Sequence, residues 1–269
     1  MPESDAIARS DRPRTRESLA GDLRELGLEA GMTVLVHSSL SALGWVVGGP
    51  VTVVQALMDL ITPAGTLVMP THSSDNSEPS QWRNPPVPPE WWPIIRETMP
   101  GYDPRVTPTR SMGRIVDTFR TWTGTRRSAH PAQSFAAWGH HADAIVSDHA
   151  LDYSLGETSP LARVYDLSGL VLLLGVGFGN NTSFHLAEYR IERRTEVEQG
   201  AAVREGAGRA WRVYKDIDLD DAVFPEIGAA FEQTGQVTRG NVGSARAYLF
   251  PQRPAVDFAA EWLTRAAPA

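Results

Sequence analysis

Within residues 170–190 two side chains carry the chemistry: His185 and Glu188, three positions apart. On a helix that spacing puts both on one face. An imidazole held by a carboxylate is a general base with its tautomer set, able to take a proton from a nucleophile. Asn181, Thr182 and Ser183 stand just before the pair, and each is a good helix N-cap. Gly175, Gly177 and Gly179 allow a sharp turn and a close approach of backbone to ligand. Residues 170–174, Leu-Val-Leu-Leu-Leu, are an apolar run bounded by glycines, the profile of a strand buried on both faces. A strand, a glycine turn and a helix bearing a base form a place for catalysis. The same residues also fit a buried strand followed by a capped helix with a surface His–Glu pair, so the rest of the chain must decide.

The elements that would position this pair are spread along the chain. Thr15 is a helix N-cap with Leu19, Leu23 and Leu26 on one stripe. Residues 32–36 read as a buried strand running into His37-Ser38-Ser39-Leu40, whose hydroxyls and backbone donors suit an anion-binding turn. A helix through Val53, Leu57, Leu60 and Ile61 leads to a second short strand at 66–69, so strand–helix–strand implies a parallel unit. Residues 78–109 are crowded with prolines and carry Trp82, Trp91 and Trp92, as expected of a wall or lid over a site. A helix is expected at 112–122. The basic turn at 126–131 reads either as a phosphate clamp or as an exposed loop. Short helices are expected at 140–149 and 159–166, an antiparallel hairpin around Glu205-Gly206-Ala207-Gly208, and helices at 222–233 and 255–265. Asp216, Asp218 and Asp220 would share one side of an extended segment; a metal loop, a patch for a polycation and a solvated strand end all remain open.

The chain has 269 residues, enough for a sizeable core, and no internal repeat. The first 16 residues are polar and are expected to be a flexible segment ahead of a single domain at 17–269. The absence of cysteine excludes disulfides, thiolate metal sites and a cysteine acyl-enzyme. No run approaches a membrane span and no signal pattern opens the chain, so a cytoplasmic location is expected, without membrane partners. A net charge of −7 disfavours nucleic acid and is compatible with a cationic ligand.

Five segments, in order, resemble the aminoglycoside 3-N-acetyltransferase family: Val-Leu-Val-His-Ser-Ser-Leu (34–40), Gly-Thr-Leu-Val-Met-Pro-Thr (65–71), Arg-Ser-Ala-His-Pro (127–131), Leu-Leu-Gly-Val-Gly (173–177) and Asn-Thr-Ser-Phe-His-Leu-Ala-Glu (181–188). The resemblance implies an α/β fold, a three-layer α/β/α sandwich with a central largely parallel sheet and a C-terminal antiparallel hairpin region. It implies an acetyl-CoA-dependent acyltransferase for antibiotic resistance, acting on the 3-amino group of 2-deoxystreptamine aminoglycosides, with CoA and a polycationic acceptor as partners and no metal. His185 would be the base, Glu188 its partner and Thr182 a donor near the thioester carbonyl. His37, Ser38, Ser39 and Leu40 would meet the coenzyme's pyrophosphate and pantetheine, Ser111, Met112 and Gly113 its pantetheine arm, and Arg127 with Ser128 a phosphate. Asp216, Asp218 and Asp220, with Asp75, Glu78 and Asp152, would meet the acceptor's ammoniums. Direct transfer in a ternary complex is the simplest route, a serine acyl-enzyme requiring a second base. The alternatives are the same transfer to another amine, such as a biosynthetic intermediate or small metabolite, and a CoA-binding protein without catalysis.

Overall fold

The computed structural model describes residues 3–8 and 10–266. In chain order the elements are α1 (Glu3–Ala8), α2 (Arg16–Glu25), β1 (Thr33–Ser38), α3 (Pro50–Ile61), β2 (Thr66–Pro70), α4 (Trp92–Thr98), α5 (Arg114–Arg120), β3 (Arg126–Arg127), β4 (Phe135–Gly139) and α6 (Ala142–Val146). Then come α7 (Pro160–Asp166), β5 (Leu170–Leu174), α8 (Ser183–Arg190), β6 (Glu196–Glu205), β7 (Gly208–Ile217), α9 (Phe224–Glu232), β8 (Thr238–Val242), β9 (Ala245–Pro251) and α10 (Gln252–Ala266). None of the described helices is long and apolar enough to cross a membrane.

One seven-stranded sheet runs β3-β4-β2-β1-β5-β9-β8. Its centre is parallel: β1 pairs with β2 and β5, setting Leu35 against both Val68 and Val171. Successive side chains point to opposite faces. Val34, Val36, Leu172 and Leu174 therefore join one apolar core, under α2, α3 and α5. Leu35, Val68, Val171 and Leu173 join the other, under α6 to α10. Continuous apolar runs are what a strand covered on both faces requires, and the layers are helix, sheet, helix.

The sheet is mixed, so the expectation of a largely parallel one needs correcting at its edges. β4 joins β2, β3 joins β4, β9 joins β5 and β8 joins β9, all antiparallel. The hairpin of β6 and β7 forms a separate two-stranded sheet. It is longer than the sequence implies, and its two-residue loop opens with Gly206 at φ 56°.

The opening segment also differs from expectation, although residues 1, 2 and 9 (and 267–269 at the far end) lie outside the described residues. Residues 3–8 form a helix whose Ala6 is buried. Arg14 is buried too, donating to Asp11 and to Ser244 in the β8–β9 turn. Ala6 and Arg14 thus anchor the segment at two points, while most of its other described residues are exposed. Thr15 then caps α2, its hydroxyl and that of Ser18 exchanging hydrogen bonds with each other's backbone.

Candidate active site

The three parallel strands end at one edge of the sheet, and the loops leaving them build a cavity of about 230 Å³. His37 and Ser38 come from the end of β1, His72 from just past β2, and Thr182 and His185 from the turn and helix after β5. This is the crevice beyond strand carboxyl ends where open α/β sheets place ligands. The chain leaves β5 through Gly175 at φ 73°, where a Cβ would lie 2.6 Å from the Cβ of Ala42. Only glycine fits there, whereas Gly177 has extended backbone and open space around it. Asn181 Oδ1 then accepts the Ser183 backbone N–H at 3.3 Å, so Asn181, and neither hydroxyl, caps the start of α8.

His185 and Glu188 meet as their spacing implies. Nδ1 lies 2.5 Å from Oε2, and both side chains are mostly shielded from solvent. The other Glu188 oxygen accepts the Asp220 backbone N–H at 3.0 Å. A carboxylate facing Nδ1 puts the ring proton there and leaves the Nε2 lone pair for the cavity. Phe224 packs on the ring, with centroids 4.8 Å apart.

On one side this cavity opens into a groove of about 510 Å³, with Ser38, Ser111 and Met112 belonging to both. Ser39, Leu40 and Gly113 line the groove as well, so six of the nine residues expected at the coenzyme lie along it. His37 faces the central cavity instead. The Ser39 backbone N–H is spent on the Leu174 carbonyl, which removes one donor from the anticipated anion-binding turn.

Arg127 and Ser128 do not join them. The Arg127 guanidinium donates to the Thr71 carbonyl and Ser73 Oγ at 2.7 Å, to Thr71 and Ser134 hydroxyls at 3.1 Å and to the Thr107 carbonyl at 2.5 Å. Ser128 is buried, accepting from the Phe135 N–H and bonded to His149 Nδ1. Both are internal fasteners with nothing left for a phosphate. Arg114, which sequence reasoning did not single out, lines the groove, exposed and with no partner among the described residues.

On the other side lies a cleft of about 570 Å³ between residues 74–87 with Arg110 and the end of the hairpin. It adjoins the central cavity along the chain, at His72–Ser74, Arg110–Ser111 and Leu219–Asp221. Asp75, Asp216 and Asp218 line it; Glu78, Asp152 and Asp220 do not. Glu78 is held by Arg96 and Ser80, which keep its carboxyl below its ordinary pKa against the opposing effect of burial. Asp152 accepts the Lys215 backbone N–H, and Asp220 caps Ala222. β7 ends at Ile217, so the three aspartates do not share one face of a strand. Asp216 is buried, accepting from Ser154 Oγ at 2.6 Å, from the Ile217 N–H and from the Tyr189 hydroxyl. Asp218 is exposed, its side chain without a partner among the described residues, and Asp221, absent from the sequence-derived set, lines the cavity of His185.

The family model for aminoglycoside 3-N-acetyltransferases matches residues 35–264. The chain belongs to that family. Its members are acyltransferases. The chain is 50% identical over 251 residues to the SPbeta prophage-derived aminoglycoside N(3')-acetyltransferase-like protein YokD of Bacillus subtilis, covering 93% of this chain and 92% of that one. The crystal structure of YokD matches with a TM-score of 0.96 over 98% of each chain, at 47% identity in that superposition. AAC-IIIb in a binary complex with CoASH matches at TM-score 0.84 and 32% identity, over 96% of this chain and 100% of that one. AAC-VIa bound to sisomicin matches at 0.86 and 31%, with the same coverage.

Proposed function

We propose that this protein transfers the acetyl group of acetyl-CoA to the 3-amino group of a 2-deoxystreptamine aminoglycoside, directly within a ternary complex and with His185 as base. One observation carries the reading: a carboxylate-held imidazole lies in a cavity that joins two larger clefts. The groove beside Ser38, Ser111 and Met112 would take the pantetheine arm, and the cleft beside Asp216 and Asp218 the amine. Family relatives captured with CoASH and with sisomicin support the two ligand classes.

An ammonium cannot attack a thioester, so one proton leaves the acceptor for solvent through His185. The amine lone pair then forms the C–N bond while the carbonyl π pair moves onto oxygen. When the tetrahedral adduct collapses, the C–S bond breaks and CoA leaves as thiolate. His185 Nε2 takes the second nitrogen proton, which ends on the thiolate. Glu188 stabilises the imidazolium formed between these steps, and Thr182 is a candidate donor to the oxyanion.

A second reading, the same transfer to a less highly charged amine, draws on the cleft itself. Asp75 is ion-paired with Arg110, and Arg83, also in the cleft, has no partner among the described residues. A molecule with ammoniums along its whole length would meet these cations. Purified protein, acetyl-CoA and a panel of aminoglycosides and simple amines, followed by thiol release, separate the readings. Release with aminoglycosides, with the product acetylated at N3 by NMR, is the expected result. Release only with other amines selects the second reading, and no release with any amine defeats both.

A further inference from the structure

His72 lines the same cavity as His37, Thr182 and His185, yet the steps above give it no task. Its ring packs edge-on against Phe135, with centroids 5.4 Å apart. Nε2 is buried and has no hydrogen-bond partner among the described residues. Nδ1 makes no hydrogen bond among the described residues either, but unlike Nε2 it keeps some accessible surface, on a residue that lines the cavity. A proton on Nε2 would be an orphaned buried donor, which folded proteins avoid, and the hydrogen therefore belongs on Nδ1.

The ring is also neutral. Burial, with His185, His37, His149 and Arg127 around it, lowers its pKa to about 3. An imidazole so weakly basic does not deprotonate an ammonium. What it retains is a fixed N–H, and a neutral imidazole of this kind polarises a carbonyl without giving up its proton. The acceptor atom to be expected in this cavity is the thioester carbonyl oxygen, because Ser38, Ser111 and Met112 are shared with the coenzyme groove.

Resting on the acetyl-transfer reading, we propose that His72 is a further catalytic residue, whose Nδ1–H donates to the thioester carbonyl oxygen and, more strongly, to the oxyanion that follows. The attacking nitrogen drives the carbonyl electron pair onto that oxygen. A donor already aimed there stabilises the charge without reorganising at the moment of reaction. His72 and His185 then divide the work: His72 holds the oxygen and His185 moves the proton.

The test uses the full chain with His72→Phe, which keeps a ring against Phe135 without the N–H, and His72→Gln, which restores a neutral donor. The infrared carbonyl stretch of acetyl-CoA, labelled with carbon-13 at the acetyl carbonyl, is read bound and free. Binding to the native protein should move it to lower frequency; His72→Phe should abolish the shift and His72→Gln should keep part of it. With the best acceptor, kcat should fall about a hundredfold in His72→Phe, with an unchanged acetyl-CoA Michaelis constant and unchanged dependence of rate on pH. An unshifted carbonyl in the native protein, or a shift that survives His72→Phe, overturns the donor role. If only the melting temperature falls, His72 is a packing residue. The infrared reading needs no acceptor, so it stands even if no amine is acetylated; failure of acetyl-CoA to bind would instead count against the acetyl-transfer reading and the donor together.

Discussion

Glu188 holds His185 and the exit of the hairpin at once, one oxygen 2.5 Å from Nδ1 and the other on the Asp220 N–H at 3.0 Å. Neither contact can rotate without breaking the other, so the carboxylate orients the ring. Glu188→Gln offers Nδ1 an amide that can equally donate, which frees the tautomer. We expect kcat to fall about 10²- to 10⁴-fold, and His185→Ala to cost at least about 10². Thiol-release kinetics, with coenzyme affinity measured separately by calorimetry, check this; full activity in either variant would remove the pair from the mechanism.

Asp216 and Asp218 both line the cleft proposed for the acceptor, but they should respond in opposite ways. Asp216 is buried among the Ser154, Ile217 and Tyr189 donors, and burial together with this carboxylate raises the Tyr189 pKa. Asp216→Asn leaves donors facing donors and should cost about 1–3 kcal/mol in urea unfolding. Asp218→Asn should change stability by less than about 0.5 kcal/mol while raising the Michaelis constant of a cationic acceptor and flattening its dependence on salt.

Arg127 makes its bonds to Thr71, Ser73, Thr107 and Ser134 through a planar fork that lysine cannot reproduce. Arg127→Lys should therefore lower the melting temperature clearly and leave coenzyme affinity intact. Arg114→Ala should do the reverse, weakening CoA binding while the melting temperature stays the same. A coenzyme defect in Arg127→Lys at unchanged stability would restore the phosphate role.

Four imidazoles are held neutral, chiefly by burial: His37 and His72 at about 3, His149 at about 4 and His130 well below its ordinary value. In the unfolded chain each titrates near 6.5. Below that pH the unfolded chain binds protons that the folded chain refuses, so stability falls as the pH drops and the loss levels off only where the folded groups charge, near 3 to 4. Melting midpoints should be flat above about pH 7.5 and should descend steadily from 6.5 to 4.5. His149→Asn should give a shallower slope. A midpoint unchanged between pH 7 and 5 would contradict the neutral assignment.

The strand–turn–helix around His185 is readable in the sequence because its signals are local: an apolar run, a glycine where φ must be positive, and a base–acid pair one helical turn apart. The mixed character of the sheet is not. Thr-Arg-Gly-Asn-Val of β8 has neither an apolar run nor clean alternation, and the apolar Phe-Ala-Ala-Trp of β4 says nothing of its direction; the antiparallel pairing of each is set by its neighbour, β9 and β2. Nor does residue type show which arginine is committed inside and which is free. Arg127 and Arg114 look alike until the fold brings Thr71, Ser73 and Ser134 around the first and leaves the second at a groove. Asp220 and Asp221 differ in the same way, one capping a turn and its neighbour reaching the reaction cavity.

Ala6 of the opening helix lines the groove proposed for the coenzyme, together with Leu40 and Trp45. Helix α1 thus contributes to the wall along which the cosubstrate would slide. If the groove takes CoA as proposed, deleting α1 would perturb turnover by altering how the coenzyme enters and leaves, although the reacting groups lie several secondary-structure elements away.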